Sequence, residues 1–224
     1  IQLEKARERK KSGLFLVEGL RELNLALDNG YEVEKIFVCP DFFSIDEAQT
    51  QINNTNAEWI SIGPEVADKL FYRKGIANVL GLVKSQSKTL DKLPIKENPL
   101  LLVIEEVEKP GNLGAMMRTA DASGADGVII CDPATDIFNP NVVRSSLGCI
   151  FSVPIAVAST DETLQYLKRN KIRSFAAHLE ATKSHFAANF SKGTAIVVGS
   201  EADGLTDIWR TASSEMIKIP MLGQ

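Results

Sequence analysis

The sequence predicts an α/β protein built on a parallel sheet, with a smaller α/β region ahead of it. Strand-sized apolar runs alternate with segments of helical spacing along most of the chain. The run LLLVI at 100–104 is continuously apolar, as expected of a strand covered on both faces. A polar stretch near 84–99, KSQSKTLDKLPIKENP, carries Pro94 and Pro99 and has the composition of a linker. The expected organisation is a small α/β region over 1–84, a linker over 85–99 and a larger region over 100–224.

In the first region, residues 14–17 form a short apolar run and 20–27 have helical spacing. Residues 33–38 are β-branched and alternating, and 59–62 read as another strand. A helix is expected over 64–70, where Pro64 suits a first turn, and a strand over 79–83. After the linker, strands are expected at 100–104, 127–130, 153–157, 173–177, 195–198 and 216–219. Helices are expected at 113–123, 141–148, 162–169 and 205–211. Alternation of this kind gives a parallel sheet with helices on both faces, and such sheets bind ligands beyond the carboxyl ends of their strands.

With 44% hydrophobic and 24% charged residues, the composition is that of an ordinary globular protein rather than a disordered chain. No run is long and apolar enough to cross a bilayer, and the charged opening is unlike a secretory signal. Cys39, Cys131 and Cys149 are widely spaced, form no CxxC pair and read as buried, reduced thiols of a cytoplasmic protein. His178 and His185 have no metal or triad spacing around them and read as structural or exposed; no metal site is expected. The net charge of −4 weakly opposes a nucleic-acid partner. Residues 1–11 are a local exception, with five basic against two acidic side chains, although a charged terminal helix is commonly just a solvated face.

Three segments lie where a parallel sheet would place chemistry. The first, EKPGNLGAMMRTADASGADGV (108–128), runs from a strand into a helix. Leu113, Met116, Met117, Ala120 and Gly124 share one face, and Arg118 falls about 140° from Leu113 at ~3.6 residues per turn. Taken alone, this reads more readily as a packing helix with a surface arginine. The second, AIVVGSEADGLTD (195–207), ends a strand in Gly199-Ser200-Glu201 and reaches Gly204 before a helix. It has neither dinucleotide nor P-loop spacing, and a turn glycine beside a solvated glutamate would explain it as well. The third, IKIPMLGQ (217–224), places Pro220 just after a strand, where it stops pairing.

In this order the segments resemble the signature motifs of the SpoU (TrmH-like) family of RNA ribose methyltransferases. The first family motif is matched by Asn112, Gly114 and Arg118, the second by Gly199, Glu201 and Gly204, and the third by Ile219, Pro220 and Met221. The segment NPNVVRSSLGCIFSVPI (139–155), with Arg144, Ser145, Ser146 and Gly148, resembles the family's intervening stretch. The beginning of the chain is similar to its small RNA-binding domain.

The resemblance implies a trefoil-knotted methyltransferase domain, a homodimer, and S-adenosyl-L-methionine as cofactor. It assigns cofactor binding to Gly199, Ser200, Glu201, Gly204, Ile219, Pro220, Met221 and Leu222, and catalysis to Arg118, with Asn112 and Glu201 orienting substrate and arginine. Arg144, Ser146, Lys5, Arg7 and Arg9 are the expected RNA contacts. The implied reaction is in-line displacement of the methyl group by a ribose oxygen, with Arg118 holding a phosphate and stabilising a developing alkoxide. The implied substrate is ribosomal RNA, with no membrane partner. The rival readings are a transfer-RNA ribose methyltransferase and a non-catalytic RNA-binding assembly factor. The family's third motif continues into a Ser-Leu-Asn-type segment, and the sequence stops at Gln224, before that segment.

Overall fold

The computed structural model describes residues 2–53, 55–72, 79–94 and 96–221. The elements follow in order: α1 (Ala6–Ser12), β1 (Leu14–Glu18), α2 (Leu20–Asp28), β2 (Val33–Val38), α3 (Ile45–Gln51), β3 (Glu58–Ser61), α4 (Pro64–Leu70) and β4 (Val79–Lys84). Then come β5 (Leu100–Glu105), α5 (Pro110–Ala122), β6 (Gly127–Cys131), α6 (Pro140–Ser145), α7 (Cys149–Ser152), β7 (Ile155–Ala158) and α8 (Thr160–Arg169). The chain continues through β8 (Arg173–Ala177), β9 (Thr194–Val198), α9 (Asp207–Ala212) and β10 (Glu215–Ile217).

Contacts divide the chain into two compact units that cut across sequence order. One holds Ile1–Ser87 together with Pro110–Arg118 and Asp136–Ser152; the other holds Lys88–Lys109, Thr119–Thr135 and Val153–Gln224.

The first unit contains a four-stranded sheet of order β1-β4-β2-β3, in which β4 is antiparallel to both neighbours and β3 is parallel to β2. Aromatic packing explains why residues 136–152 belong here. Phe15 of β1 stacks on Phe138 with ring centroids 4.4 Å apart, and Tyr31 meets Phe151 edge-on at 5.0 Å. Rings in these geometries contribute about 0.5–1.5 kcal/mol per pair beyond the area they bury. The Arg9 Nε also donates to Asp136 Oδ2 at 2.6 Å.

The second unit is a six-stranded, wholly parallel sheet of order β10-β8-β9-β5-β6-β7. Its core includes Val103, Ile129, Ala156, Val197 and the fully buried Trp209. The stretch expected as a linker contributes to this core. Leu93 is buried against the sheet, and the Lys88 carbonyl accepts a hydrogen bond from Val157 N–H at 2.8 Å. The polar average of the segment conceals its apolar anchor.

At the carboxyl end of β5 the Glu105 side chain is 1% exposed. Its Oε1 accepts from Trp209 Nε1 at 2.7 Å and from the hydroxyls of Thr160 and Thr206 at 2.8 Å each, while Oε2 accepts from Thr206 N–H at 2.8 Å. A buried carboxylate is tolerable only when its lone pairs are occupied in this way. Burial pushes the nearby Cys131 thiol up to about 12, with the Glu105 charge adding to the effect. All three cysteines are buried and none is in a disulfide.

Two differences at helix ends have local causes. Gly124 was expected on the inward face of α5, but the helix stops before it and Gly124 takes the left-handed turn, φ +68°, that leads into β6. The expected helix over 141–148 is broken by Leu147 and Gly148, both at positive φ, into α6 and α7.

Replacing Glu105 with Ala should leave the Trp209, Thr160 and Thr206 donors unsatisfied and cost about 3 kcal/mol or more, with Glu105→Gln intermediate. Urea unfolding of the three proteins measures this, and a loss under about 1 kcal/mol for Glu105→Ala would contradict the account.

Candidate active site

In the parallel sheet the strand order reverses direction between β5 and β9: the chain proceeds outward from β5 to β6 and β7 on one side, and β8 and β10 lie on the other. The carboxyl ends of such a strand pair flank the usual ligand crevice. The loops carrying the first two motifs start at these two ends, after Glu105 and after Val198.

The loop after β9 is closed on itself. Ser200 N–H donates to the Gly204 carbonyl at 2.9 Å, Gly204 N–H returns to Ser200 O at 3.1 Å, and Asp203 N–H donates to Ser200 Oγ at 3.0 Å. A Cβ on Gly199 would overlap the Gly204 carbonyl and the Leu205 nitrogen, so only glycine allows the closure. Gly204 has φ +73°, with open space where a side chain would point. Glu201 projects from the loop into solvent and pairs with Lys109 Nζ at 2.9 Å. The hydrogen bond to Glu201, and then its charge, raise the Lys109 pKa. A pair this exposed adds little stability, but it ties the glycine loop to the loop that follows β5. Lys109 has no signal in the sequence, because nothing about a lone lysine indicates its partner.

Large apolar side chains stand in solvent along the same sheet edge. Leu179, just after β8, is 83% exposed, and Ile219 and Met221, after β10, are 49% and 79% exposed. The chain is pinned up to Lys218, whose N–H donates to Lys183 O at 2.7 Å and whose carbonyl accepts from His185 N–H at 3.0 Å. Beyond it, Ile219, Pro220 and Met221 are exposed, and Leu222 lies outside the described residues. Exposed apolar side chains and a glycine loop at the carboxyl ends of parallel strands suit a flat heteroaromatic ligand with a polar edge. Among the described residues, no group of three or more His, Cys, Asp or Glu is placed to hold a metal ion.

In the other unit, the first turns of α5 pack against α6. Pro110 opens α5, and Leu113 and Met117 are fully buried. A Cβ on Gly114 would overlap the Ser145 hydroxyl and come within 2.7 Å of its carbonyl carbon. Ser145 Oγ lies 3.2 Å from both the Pro110 and Val142 carbonyls. The close approach lets Arg118, which is exposed, donate from Nη1 to Ser145 O at 3.1 Å. One corner of the guanidinium is therefore fixed, and the rest faces solvent. Asn112 is half-buried, and its side chain has no hydrogen-bond partner among the described residues.

The expected RNA contacts divide sharply. Lys5 and Arg7 are exposed. Arg144 is half-buried, donates from Nη2 to Asn141 Oδ1 at 2.8 Å and lies over the Tyr72 ring at 3.5 Å. Arg9 is 4% exposed, and besides Asp136 it donates to the Leu3 and Glu4 carbonyls at 2.7 and 2.9 Å. Ser146 is buried, with its hydroxyl on Val143 O at 2.7 Å. These last two groups are taken up inside the protein, so they hold α1 and α6 in place and do not face solvent.

The family model for SpoU rRNA methylases matches residues 99–224, and the model for the MRM3-like substrate-binding domain matches 1–81. The chain belongs to the SpoU methylase family. The 23S rRNA uridine 2′-O-methyltransferase of Streptomyces viridochromogenes is 30% identical to this SpoU methylase, over 96% of the chain and 78% of the relative. A 23S rRNA guanosine 2′-O-methyltransferase of Bacillus subtilis is 27% identical, over 100% and 86%. The crystal structure of the SpoU methyltransferase AviRb from S. viridochromogenes with AdoMet superposes with a TM-score of 0.91 at 28% identity, covering 99% of this chain and 86% of that one.

Gly114→Ala in this SpoU methylase should force α6 away from α5 and release Arg118 from Ser145. A displacement of ~1 Å lowers turnover by as much as about 100-fold, and the overpacking costs about 1–3 kcal/mol. Steady-state methyl transfer and thermal melting together measure both effects, and wild-type turnover in the folded variant would refute the proposed role of the α5–α6 approach.

Proposed function

We propose that this SpoU methylase transfers the methyl group of S-adenosylmethionine to a ribose 2′-hydroxyl of ribosomal RNA. The observation that carries the reading is Arg118, fixed by one nitrogen to the Ser145 carbonyl with the rest of its fork turned to solvent. The ribosomal RNA relatives, and the match of residues 1–81 to a substrate-binding domain, favour this substrate over transfer RNA and over a non-catalytic role.

S-adenosylmethionine supplies a methyl group already activated on a sulfonium centre. The protein therefore has to position an oxygen and ease the loss of its proton. The Arg118 guanidinium is already fully protonated and has no lone pair to accept another proton, so the ribose proton passes to solvent while the fork suits a phosphate beside the reacting ribose and the alkoxide that develops there. The Asn112 amide, unengaged among the described residues, orients the same ribose. Glu201, held by Lys109, orients the substrate from the closed glycine loop.

Gly199, Ser200, Gly204 and the Ile219–Pro220–Met221 stretch would hold the adenosine, and the family resemblance adds Leu222 to them. Lys5, just ahead of α1, and Arg7, in its first turn, contribute phosphate contacts, which offsets the net charge of −4 locally. Residues 1–84 act as the RNA-binding region. The family resemblance further supports a trefoil knot, a homodimer and a cytoplasmic site of action.

Arg118→Ala should abolish methyl transfer while leaving the melting temperature and S-adenosylmethionine affinity close to wild type, and Arg118→Lys should restore only a small fraction. Tritiated-methyl incorporation into ribosomal RNA, with calorimetry for the cofactor, separates the two effects. Full activity in Arg118→Ala would sink the mechanism.

A further inference from the structure

A second feature of the unit that carries Arg118 has no part in the chemistry above. A cavity of about 360 Å³ opens between the N-terminal sheet and α6, lined among others by Glu4, Glu18, Tyr72, Asn139, Asn141 and Arg144. Its volume lies within the range of ligand sites, about 300–1,000 Å³.

Tyr72 at its rim is 70% exposed, an unusual position for a large ring unless something holds it. Two contacts do. The Tyr72 N–H donates to Glu18 Oε2 at 3.2 Å, and the Arg144 guanidinium sits 3.5 Å from the ring centroid. Arg144 is in turn fixed by its bond to Asn141. The result is a preformed stacking platform with one side toward solvent, where little side-chain freedom remains to be lost on binding.

The lining indicates what the platform receives. Glu4 and Glu18 balance the charges of Lys69 and Arg144, so the lining is no anion trap, and its carboxylates and asparagine amides match the N–H and carbonyl groups on the edge of a base. Unpaired bases in RNA are taken up by stacking on aromatic rings and arginine planes, with hydrogen bonds to their edges. Position agrees with this. Arg144 precedes Ser145, whose carbonyl anchors Arg118, so the last turn of α6 links the platform to the catalytic arginine.

We propose that the Tyr72–Arg144 pair is a nucleobase-stacking site, which takes up an unpaired base of the RNA substrate close to the ribose held by Arg118. The proposal rests on the functional reading above. The probe is an in vitro transcript of 23S ribosomal RNA, offered to the full-length protein.

Tyr72→Ala should weaken RNA binding about tenfold, as loss of one base stack does. Tyr72→Phe should bind like wild type, and S-adenosylmethionine affinity should be unchanged in both. Tyr72→Trp provides a direct signal: its emission should be quenched by RNA beyond the quenching seen from Trp59 and Trp209 in the wild type. Unaltered RNA affinity in Tyr72→Ala, or no added quenching in Tyr72→Trp, overturns the base site while wild-type methylation leaves the functional reading standing. A wild-type protein that neither binds nor methylates the transcript overturns both.

Discussion

The arrangement around the sheet depends on one buried carboxylate. Glu105 ends β5 at the point where the sheet reverses its strand order, and its oxygens gather donors from the start of α8 and from the segment leading into α9. That segment follows directly from the glycine loop after β9. A single side chain thus sets where the second motif returns to the sheet. Each donor would be costly to bury without a partner, and the carboxylate would be costlier still, so the elements are stable only together. Hydrophobic packing around Trp209 supplies adhesion, and Glu105 supplies direction.

Close backbone approach is the second constraint, and it acts at both motifs. At Gly199 it closes a loop on itself, leaving peptide groups and apolar side chains at an open sheet edge. At Gly114 it brings two helices near enough for an arginine to reach a carbonyl. In both places a glycine leaves room for neighbouring groups to be fixed before any ligand arrives, the preorganisation that a binding site needs.

The strands were largely legible because their apolar runs are short, separated and β-branched; β2 and β8 have the bounds that the pattern indicates. The helix α3 was missed although Ser44 and Glu47 form a capping box, because the residues between and after them carry little apolar periodicity. Arg118, Glu201 and Gly199 were legible as members of ordered motifs. The direction of a charged side chain was not. Arg9 reads as one more cation in a basic helix, and only Asp136, 127 residues away, shows that it points inward. Ser146 is buried with its hydroxyl on the Val143 carbonyl three residues back, a local bond that no pattern of residue types announces. Glu105 was invisible because its partners are distant in sequence: an acid at the end of an apolar run looks like the place where a strand meets water.

The stacking of Phe15 on Phe138 has a consequence for how such a chain is assembled. The two rings are far apart along the polypeptide, so the N-terminal sheet cannot finish its apolar face until residues 136–152 have been made. On an emerging chain, β1 would wait with Phe15 uncovered while the first strands of the parallel sheet are still being synthesised, a long-range closure of the kind that slows folding. The same dependence limits modular exchange. A substrate-binding region cut out at its linear boundary would leave behind the piece that seals it, and a chimera between relatives would have to carry residues 136–152 along with the N-terminal strands.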